Sequence, residues 1–349
     1  MRVVERTVLI FCTFFFLAGC FRNTDDGSGY WTRGCILPDE STMAAVGSDA
    51  ALIDLSSGKT VRKISGFFSD VVCLSDNRIF ALTQKEALEL NTQKRINRTT
   101  GWNLVGPIYE NQILVSYRVL SGSRTMQSWN GPLKLSIERF DPSPTAKEIL
   151  LTTEYFPSLG TGRENFLEVI PVRILKDNRL LVAAGFSSTD RKPEKPWGLF
   201  TVDLSNGAIS PFGGLRTSDD DLSMFVKLSR FTATPDGALL AGSSGKTVVI
   251  MSRDRLDAIA RLKFENAREI QLLRFNEEGT LLVVALIDLN GRQGRIHVLD
   301  GGSGKQLWQT DYQNGVIYFI EFLRDDSIVL MRSNQILSRL DGKNGRIRY

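Results

Sequence analysis

Short apolar segments recur along most of the chain and are separated by polar turns rich in Asp, Asn, Ser and Gly. The clearest example spans residues 294–308, where two alternating apolar segments flank a turn that runs from Asp300 to Gly304. Alternation with a period of two is typical of β-strands that bury one face, and no segment shows a convincing helical period. The pattern therefore predicts an all-β chain that is built from hairpins.

The turns have a fixed spacing, because an Asp precedes a Gly by four positions in four of the hairpins. Asp accepts hydrogen bonds from backbone amides about two residues later and so starts a turn. Gly takes the positive φ that lets the chain enter the next strand as a bulge. The sequence thus assigns a structural turn role to Asp54, Gly58, Asp203, Gly207, Asp300, Gly304, Asp341 and Gly345. Weaker copies of this hairpin lie at residues 88–91, 138–141 and 249–252.

Each of these hairpins follows another one, in which an apolar strand, a polar turn and a second apolar strand succeed each other. Residues 231–242 show it best, with Pro235, Asp236 and Gly237 in the turn. Four strands joined by hairpins form a propeller blade, and a period of about forty residues suits propeller repeats. We count seven such units, which disfavour a β-sandwich. The sequence predicts a single seven-bladed β-propeller of four-stranded antiparallel blades over residues 31–349.

The repeats also resemble known families. The hairpin at residues 300–308 resembles the PQQ-like repeat of quinoprotein-like propellers, and residues 231–242 resemble an inner strand of WD40-like propellers, including the YVTN type. The resemblance covers nearly all of the chain after residue 30. It implies that Trp308 packs between two blades.

The first nineteen residues have the features of a secretory signal peptide. Arg2 and Arg6 give a basic start, and residues 7–17 form an apolar run too short for a membrane-spanning helix, which needs roughly 20 residues. The following Leu-Ala-Gly-Cys resembles the lipobox of bacterial lipoproteins. That family implies cleavage before Cys20, a diacylglyceryl group on its sulfur and an acyl chain such as palmitate on its new amino group. An ordinary signal peptide with a chance cysteine is the alternative.

These features divide the chain into a signal peptide at residues 1–19, a lipidated tether at 20–30 and the propeller at 31–349. We expect export and attachment to a membrane through Cys20. Phe21, rather than Asp, follows the cysteine, and this favours the periplasmic face of the outer membrane in a Gram-negative bacterium. As a whole, the chain is similar to the propeller lipoproteins of the outer-membrane protein assembly machinery.

Charge and cysteine usage narrow the possibilities further. The chain has a net charge of +4, and +3 remains once Arg2, Arg6 and Glu5 leave with the signal peptide. This net positive charge is too small to favour nucleic-acid binding. Cys35 and Cys73 could form a disulfide in an oxidising compartment. They could instead be small buried residues, because strands of neighbouring blades are expected to lie too far apart for a bond that needs Cα atoms within about 7 Å.

The sequence offers little for catalysis or metal binding. His297 is the only histidine and alternates with apolar residues in a strand, so we interpret it as structural. No Gly-x-Ser-x-Gly motif supplies a nucleophile for a triad. Three neighbouring carboxylates, at residues 219–221, lack the calcium-loop pattern and suggest a solvated acidic loop. The phosphate-loop-like segments at 56–60 and 242–247 have the wrong glycine spacing and continue as strands. We expect no cofactor and no metal.

Long segments indicate where a partner would bind. Residues 121–132 and 187–197 connect second to third strands, and residues 153–168 and 213–222 connect one blade to the next. In a meander, both kinds of connection lie on the same face, here over the third to fifth blades, and long loops on a rigid scaffold often carry function. Aromatic and Arg side chains are common binding anchors. The predicted partner-binding residues are Arg124, Met126, Trp129, Tyr155, Phe156, Arg163, Arg191, Lys192, Lys195 and Trp197. The alternative is that these aromatic residues cover the blade edges.

The sequence therefore predicts a non-catalytic envelope lipoprotein that is monomeric on its own and binds another protein through these loops. Two alternatives stay open. One is a propeller enzyme, either a quinone-dependent oxidoreductase or a hydrolase of sugars or lactones. The other is a lipoprotein that binds cell-wall polysaccharide.

Overall fold

A computed structural model describes residues 30–349, except for 75, 84, 98–102, 109–112, 120–132, 140–144, 152–164, 189–197, 213–229, 255–257, 289–292, 314–315 and 333–335. The described residues form a β-propeller of antiparallel sheets, each a meander in which strands pair in chain order. Central strands whose burial is described, such as Thr42–Gly47 and Leu281–Asp288, are buried on both faces, because a blade packs against one neighbour with each face. In the sheet formed by residues 230–263, Leu240 and Met251 pack against the sheet that precedes it in the chain. Ala241 and Ile250 pack against the sheet that follows it.

Six sheets have four strands, and we call them blades 1 to 6 in chain order. Blades 1 to 3 consist of β1 (Trp31–Ile36), β2 (Thr42–Gly47), β3 (Asp49–Asp54), β4 (Thr60–Ser65), β5 (Asp70–Cys73), β6 (Ile79–Leu82), β7 (Glu86–Glu89), β8 (Arg95–Asn97), β9 (Asn103–Ile108), β10 (Ile113–Val119), β11 (Leu133–Arg139) and β12 (Thr145–Leu151). Blades 4 to 6 consist of β13 (Asn165–Ile174), β14 (Arg179–Ser188), β15 (Gly198–Asp203), β16 (Ile209–Pro211), β17 (Arg230–Ala233), β18 (Leu239–Ser244), β19 (Thr247–Ser252), β20 (Ala258–Lys263), β21 (Ala267–Phe275), β22 (Leu281–Asp288), β23 (Gln293–Asp300) and β24 (Gln306–Gln313).

The remaining sheet, which we call the C-terminal sheet, has three strands: β25 (Ile317–Phe322), β26 (Ile328–Arg332) and β27 (Leu337–Leu340). The sequence predicted seven four-stranded blades, and this count is wrong, since the structure has six. The segment after the last turn reaches β27 through a single isolated bridge between Leu340 and Ile347 instead of forming a fourth strand.

First strands of successive sheets lie next to each other, and β25 lies next to β1, so the ring closes with the first strands innermost. One face, which we call the N-terminal face, holds the start of β1 and the connections from second to third strands and from sheet to sheet. The opposite face holds the turns between first and second strands and between third and fourth strands.

The four Asp-to-Gly turns share one geometry. In each turn the Gly N–H donates to the Asp carbonyl over 2.7–2.8 Å, and the four Gly residues have φ between 69° and 83°. The Asp side chain accepts a further bond from a backbone amide; Asp54 Oδ1 accepts from Ser56 N at 2.7 Å. Blade 2 repeats the backbone geometry with Glu89 and Gln93, where Gln93 has φ of 61°. The turns at Asp54 and Asp300 are followed by a bulge, at the start of β4 and of β24 respectively.

A contact between sheets recurs at a fixed distance from these turns. After Asp54, Asp300 and Asp341, the side chain eight positions after the turn acid donates to a carbonyl of the next sheet, and that carbonyl directly follows the next turn acid. Trp308 Nε1 bonds Gly342 O at 2.7 Å, Arg62 Nη1 bonds Leu90 O at 2.9 Å, and Tyr349 Oη bonds Leu55 O at 2.6 Å. We call this the outer contact. It joins blade 6 to the C-terminal sheet, blade 1 to blade 2, and the C-terminal sheet to blade 1.

Ring closure uses residues of the C-terminal sheet itself. Arg348 N bonds Arg339 O at 2.7 Å, and the Arg348 guanidinium pairs with Asp325 at 3.1 Å and Asp341 at 2.9 Å. Although burial raises the pKa of Asp325, hydrogen bonds from Ser327 and the nearby arginines lower it to about 2. These contacts hold Tyr349 where its hydroxyl reaches blade 1.

Cys35 in β1 and Cys73 in β5 form a disulfide between blades 1 and 2, with Cα atoms 5.8 Å apart. Our expectation that these strands lie too far apart was wrong. First strands converge at the inner side of the ring, where neighbouring sheets come closest, so β1 and β5 lie within reach of each other.

The Gly at the end of a turn is expected to resist substitution, and one turn offers a matched test. Gly304→Ala should lower the free energy of unfolding by about 1–3 kcal/mol, because φ is 72° and a Cβ there would lie 2.6 Å from the Cβ of Ala260. Gly302→Ala in the same turn should have almost no effect, since φ is not positive and the added carbon would meet only Asp300 Oδ1 at 3.7 Å. Urea unfolding compares the two, and equal losses would contradict this account.

Candidate functional site

The predicted partner-binding residues lie outside the described residues, as do Cys20 and the acidic residues 219–221. The strands around them still fix which face their segments leave. Residues 120–132 follow β10 and precede β11, and residues 189–197 link β14 to β15, so both connect second to third strands. Residues 152–164 and 213–229 connect one blade to the next. All four segments therefore start and end on the N-terminal face, over blades 3 to 5.

A groove of about 430 Å³ opens between blades 5 and 6. β20 and the connection to β21 form one wall, and β23 and β24 form the other. Its lining comprises Arg261, Leu262, Lys263, Phe264, Glu265, Asn266, Ala267, Leu286, Asp288, Gln293, Gly294, Arg295, His297, Leu299, Gln306 and Asp311. None of these is a Ser, Thr or Cys, so the described lining offers carboxylates and one imidazole but no hydroxyl or thiol nucleophile.

His297 occupies the floor of this groove and is 5% exposed. Its Nδ1 donates to Gln306 Oε1 over 2.6 Å, and its ring lies 4.8 Å from the Phe264 ring, centroid to centroid. Burial lowers the pKa of His297, so the neutral imidazole dominates at pH 7. With Nδ1 as donor, Nε2 is left as a hydrogen-bond acceptor.

The charges around His297 occur mostly in pairs. Arg295 in β23 pairs with Asp311 in β24, and Lys263 pairs with Glu265 at 2.7 Å. A hydrogen bond and the opposite charge of Asp311 both raise the pKa of Arg295, although burial opposes them. The groove is thus polar with balanced charge. It can bind a neutral polar group through hydrogen bonds but has no concentrated charge of one sign.

Sequence reasoning missed a second feature, a set of apolar side chains exposed on the N-terminal face. Phe67 lies between β4 and β5 and is 66% exposed, whereas its neighbour Phe68 is buried. Tyr30 precedes β1, Val316 precedes β25 and Ile336 precedes β27, and each is about 40% exposed. Phe68 N bonds Gly47 O and Ser48 N bonds Tyr30 O, which places these residues around the N-terminus of the fold. We call the four residues the apolar rim.

The opposite face differs in chemistry. Each described turn between a first and a second strand carries at least one exposed acid. These are Asp39, Asp76, Asp177, Asp236, Glu277, Glu278 and Asp325. Several are paired locally; Asp76, for example, pairs with Arg78 at 2.6 Å. The inner turns of the opposite face are therefore acidic. Exposed apolar side chains also occur toward that face, at the start of fourth strands and after the last turn, at Val61, Ile259, Leu307 and Ile347.

Among the described residues, no group of three or more His, Cys, Asp or Glu residues could hold a metal ion. No helix in the part of the chain that the structure describes is long and apolar enough to cross a membrane. The segment at 242–247, which resembles a phosphate loop, forms the hairpin between β18 and β19, with Gly245 at φ of 57°.

No family model matches the chain, and no curated protein matches it. Many solved structures do, and 982 chains match. One is KlHsv2 with loop 6CD replaced by a Gly-Ser linker, which has a TM-score of 0.53 and 11% sequence identity and covers 89% of this chain and 92% of that chain. At this identity the likeness shows the β-propeller fold and nothing finer.

Proposed function

We propose that the chain is an exported, non-catalytic lipoprotein that serves as a protein-binding scaffold at a membrane. In this proposal residues 1–19 are removed, Cys20 carries the lipid, and the segments over blades 3 to 5 bind the partner. The chain would then work like the propeller lipoproteins of the outer-membrane protein assembly machinery that its repeats and lipobox resemble.

The observation that carries the proposal is the Cys35–Cys73 disulfide. Disulfides form and persist in oxidising compartments and are rare where thiols are kept reduced. The two cysteines lie in different sheets, 38 residues apart, with Cα atoms 5.8 Å apart, which is a normal separation for this bond. This supports export independently of the N-terminal sequence.

The topology supports a binding role for the N-terminal face. Its long segments start and end on paired strands of blades 3 to 5, and a base of paired strands suits loops that bind a partner. The tether leaves the same face, because Tyr30 precedes β1 there. A partner bound over blades 3 to 5 would therefore lie on the side of the ring that is nearest to the anchor.

The anchor is tested by Cys20→Ser. We expect the wild-type chain to remain with sedimented membranes and the variant to be released as soluble protein, because several acyl chains give stable anchoring. Cys12→Ser is the matched control and should leave the distribution unchanged, since that residue leaves with the signal peptide. A Cys20→Ser chain that stays in the membrane fraction would overturn the lipoprotein assignment.

The binding role is tested by replacing residues 121–132 and residues 189–197, each with a two-residue Asn-Gly turn, and repeating an affinity capture from crosslinked membranes. We expect the specific partner to be lost while the unfolding temperature stays within a few degrees of wild type. A control variant, Glu277→Ala with Glu278→Ala, changes the opposite face and should retain the partner. Capture of the same protein without both loops would show that the site lies elsewhere. A stoichiometric quinone or calcium in the purified chain would favour the enzyme alternative.

A further inference from the structure

The apolar rim is concentrated on one sector of the ring. Phe67 lies between blades 1 and 2, Tyr30 starts blade 1, and Val316 and Ile336 belong to the C-terminal sheet, which lies next to blade 1. The sector formed by the C-terminal sheet and blades 1 and 2 thus holds all four residues, and the long segments lie over blades 3 to 5. Exposed apolar side chains that share one sector of a fold can mark an interaction surface.

Local geometry directs Phe67 away from the protein. Phe68 packs into the cluster between blades 1 and 2, and its N–H bonds Gly47 O at 2.9 Å, which fixes the loop against the N-terminal face. Adjacent residues in an extended loop point to opposite sides, so burial of Phe68 leaves Phe67 outward. A side chain of this size that is 66% exposed keeps most of its apolar surface available for a partner.

The anchor limits what that partner can be. Nine residues separate Cys20 from Tyr30, so the lipid lies at most about 35 Å from the start of β1 and on average about 18 Å for a flexible chain. The attachment point is therefore always close to the apolar rim, and the bilayer surface is the apolar phase within that reach.

We propose that the apolar rim rests on the bilayer, with Phe67 and Ile336 in the interfacial region, so that the lipidated propeller has a fixed orientation on the membrane rather than swinging on its tether. This inference rests on the proposed lipoprotein function. It tilts the ring so that the sector with blades 1 and 2 contacts lipid and the long segments remain available for a partner close to the membrane.

The test uses one introduced cysteine at a time in the full lipidated protein, because Cys20 is then acylated and Cys35 is bonded to Cys73. An environment-sensitive fluorophore is attached at Phe67→Cys or Ile336→Cys, and the protein is reconstituted on vesicles of phosphatidylethanolamine and phosphatidylglycerol that contain a nitroxide-labelled lipid. Leu307→Cys, on an outer strand, is the matched control for an exposed apolar position, and Asp236→Cys reports the opposite face. We expect at least threefold stronger quenching at positions 67 and 336 than at 307 and 236.

Equal quenching at positions 67 and 307, on protein that floats with the vesicles, would overturn the fixed orientation while leaving the anchor intact. Flotation of Cys20→Ser as complete as wild type would instead overturn the anchor, and the quenching pattern would still report whether the rim contacts lipid. Circular dichroism of each labelled variant confirms that the sheets are formed.

Discussion

Replacing Trp308 with Ala is expected to lower the free energy of unfolding by about 3 kcal/mol, the low end for removal of a large aromatic side chain, because the indole is only partly buried. The change removes the Nε1 hydrogen bond to Gly342 O and the packing of the ring against Gly345, where an added Cβ would lie 2.6 Å from the indole. The contact between blade 6 and the C-terminal sheet would therefore lose both its hydrogen bond and its apolar packing. Chemical and thermal unfolding measure the loss, which should lower the melting temperature by several degrees.

Two comparisons isolate the cause. Leu307→Ala changes the neighbouring side chain on the same strand, which is 49% exposed, and should cost no more than about 0.5 kcal/mol. Trp308→Phe keeps an aromatic ring but no donor, so it should lose about 1 kcal/mol for the hydrogen bond plus a smaller packing loss. A Leu307→Ala loss as large as that of Trp308→Ala would show that the outer contact is not the source of the stability.

The second large effect is expected from the disulfide. The double variant Cys35→Ala, Cys73→Ala should lose about 4 kcal/mol, because the bond closes a loop of 38 residues and so restricts the unfolded chain. Both cysteines are replaced together, so that no free thiol remains to form other bonds. Equilibrium unfolding in urea gives the difference directly.

A reducing agent provides the internal control for that measurement. It should destabilise the wild-type chain toward the value of the double variant and leave the double variant unchanged. If wild type and double variant unfold at the same urea concentration under oxidising conditions, the bond contributes nothing to stability, and the support it gives to export is weakened.

Much of the fold could be predicted from the sequence because the blades of a propeller repeat the same local turn signals. The Asp-to-Gly spacing specifies a turn by itself, since a short side chain caps the backbone and a Gly takes positive φ. Features that depend on the closed ring could not be predicted this way. The distance between Cys35 and Cys73 is set by how closely first strands converge, and the number of four-stranded blades depends on whether residues after Asp341 pair fully with β27.

The candidate site was predictable in topology and not in detail. Counting strands places the long segments on one face, because a meander alternates its connections. The sequence cannot tell which residue of the Phe67–Phe68 pair is buried, since that depends on how the loop lies against Gly47. The resemblance implied that Trp308 packs between two blades, and its contact with the C-terminal sheet confirms this. The same role of Arg62 and Tyr349 was missed, although each also stands eight positions after a turn acid.

The outer contact places its acceptor on the main chain and its donor on a side chain. An indole, a guanidinium and a phenol fill the donor position in turn, at Trp308, Arg62 and Tyr349, and each reaches the same kind of carbonyl. Every residue has a main-chain carbonyl. The outer contact therefore needs only a donor side chain that is long enough to reach it and carries an N–H or O–H group, and not a particular amino acid. The repeats can therefore differ in sequence while the hydrogen bond between neighbouring sheets is kept. Sequence identity between repeats will understate how regular the ring is.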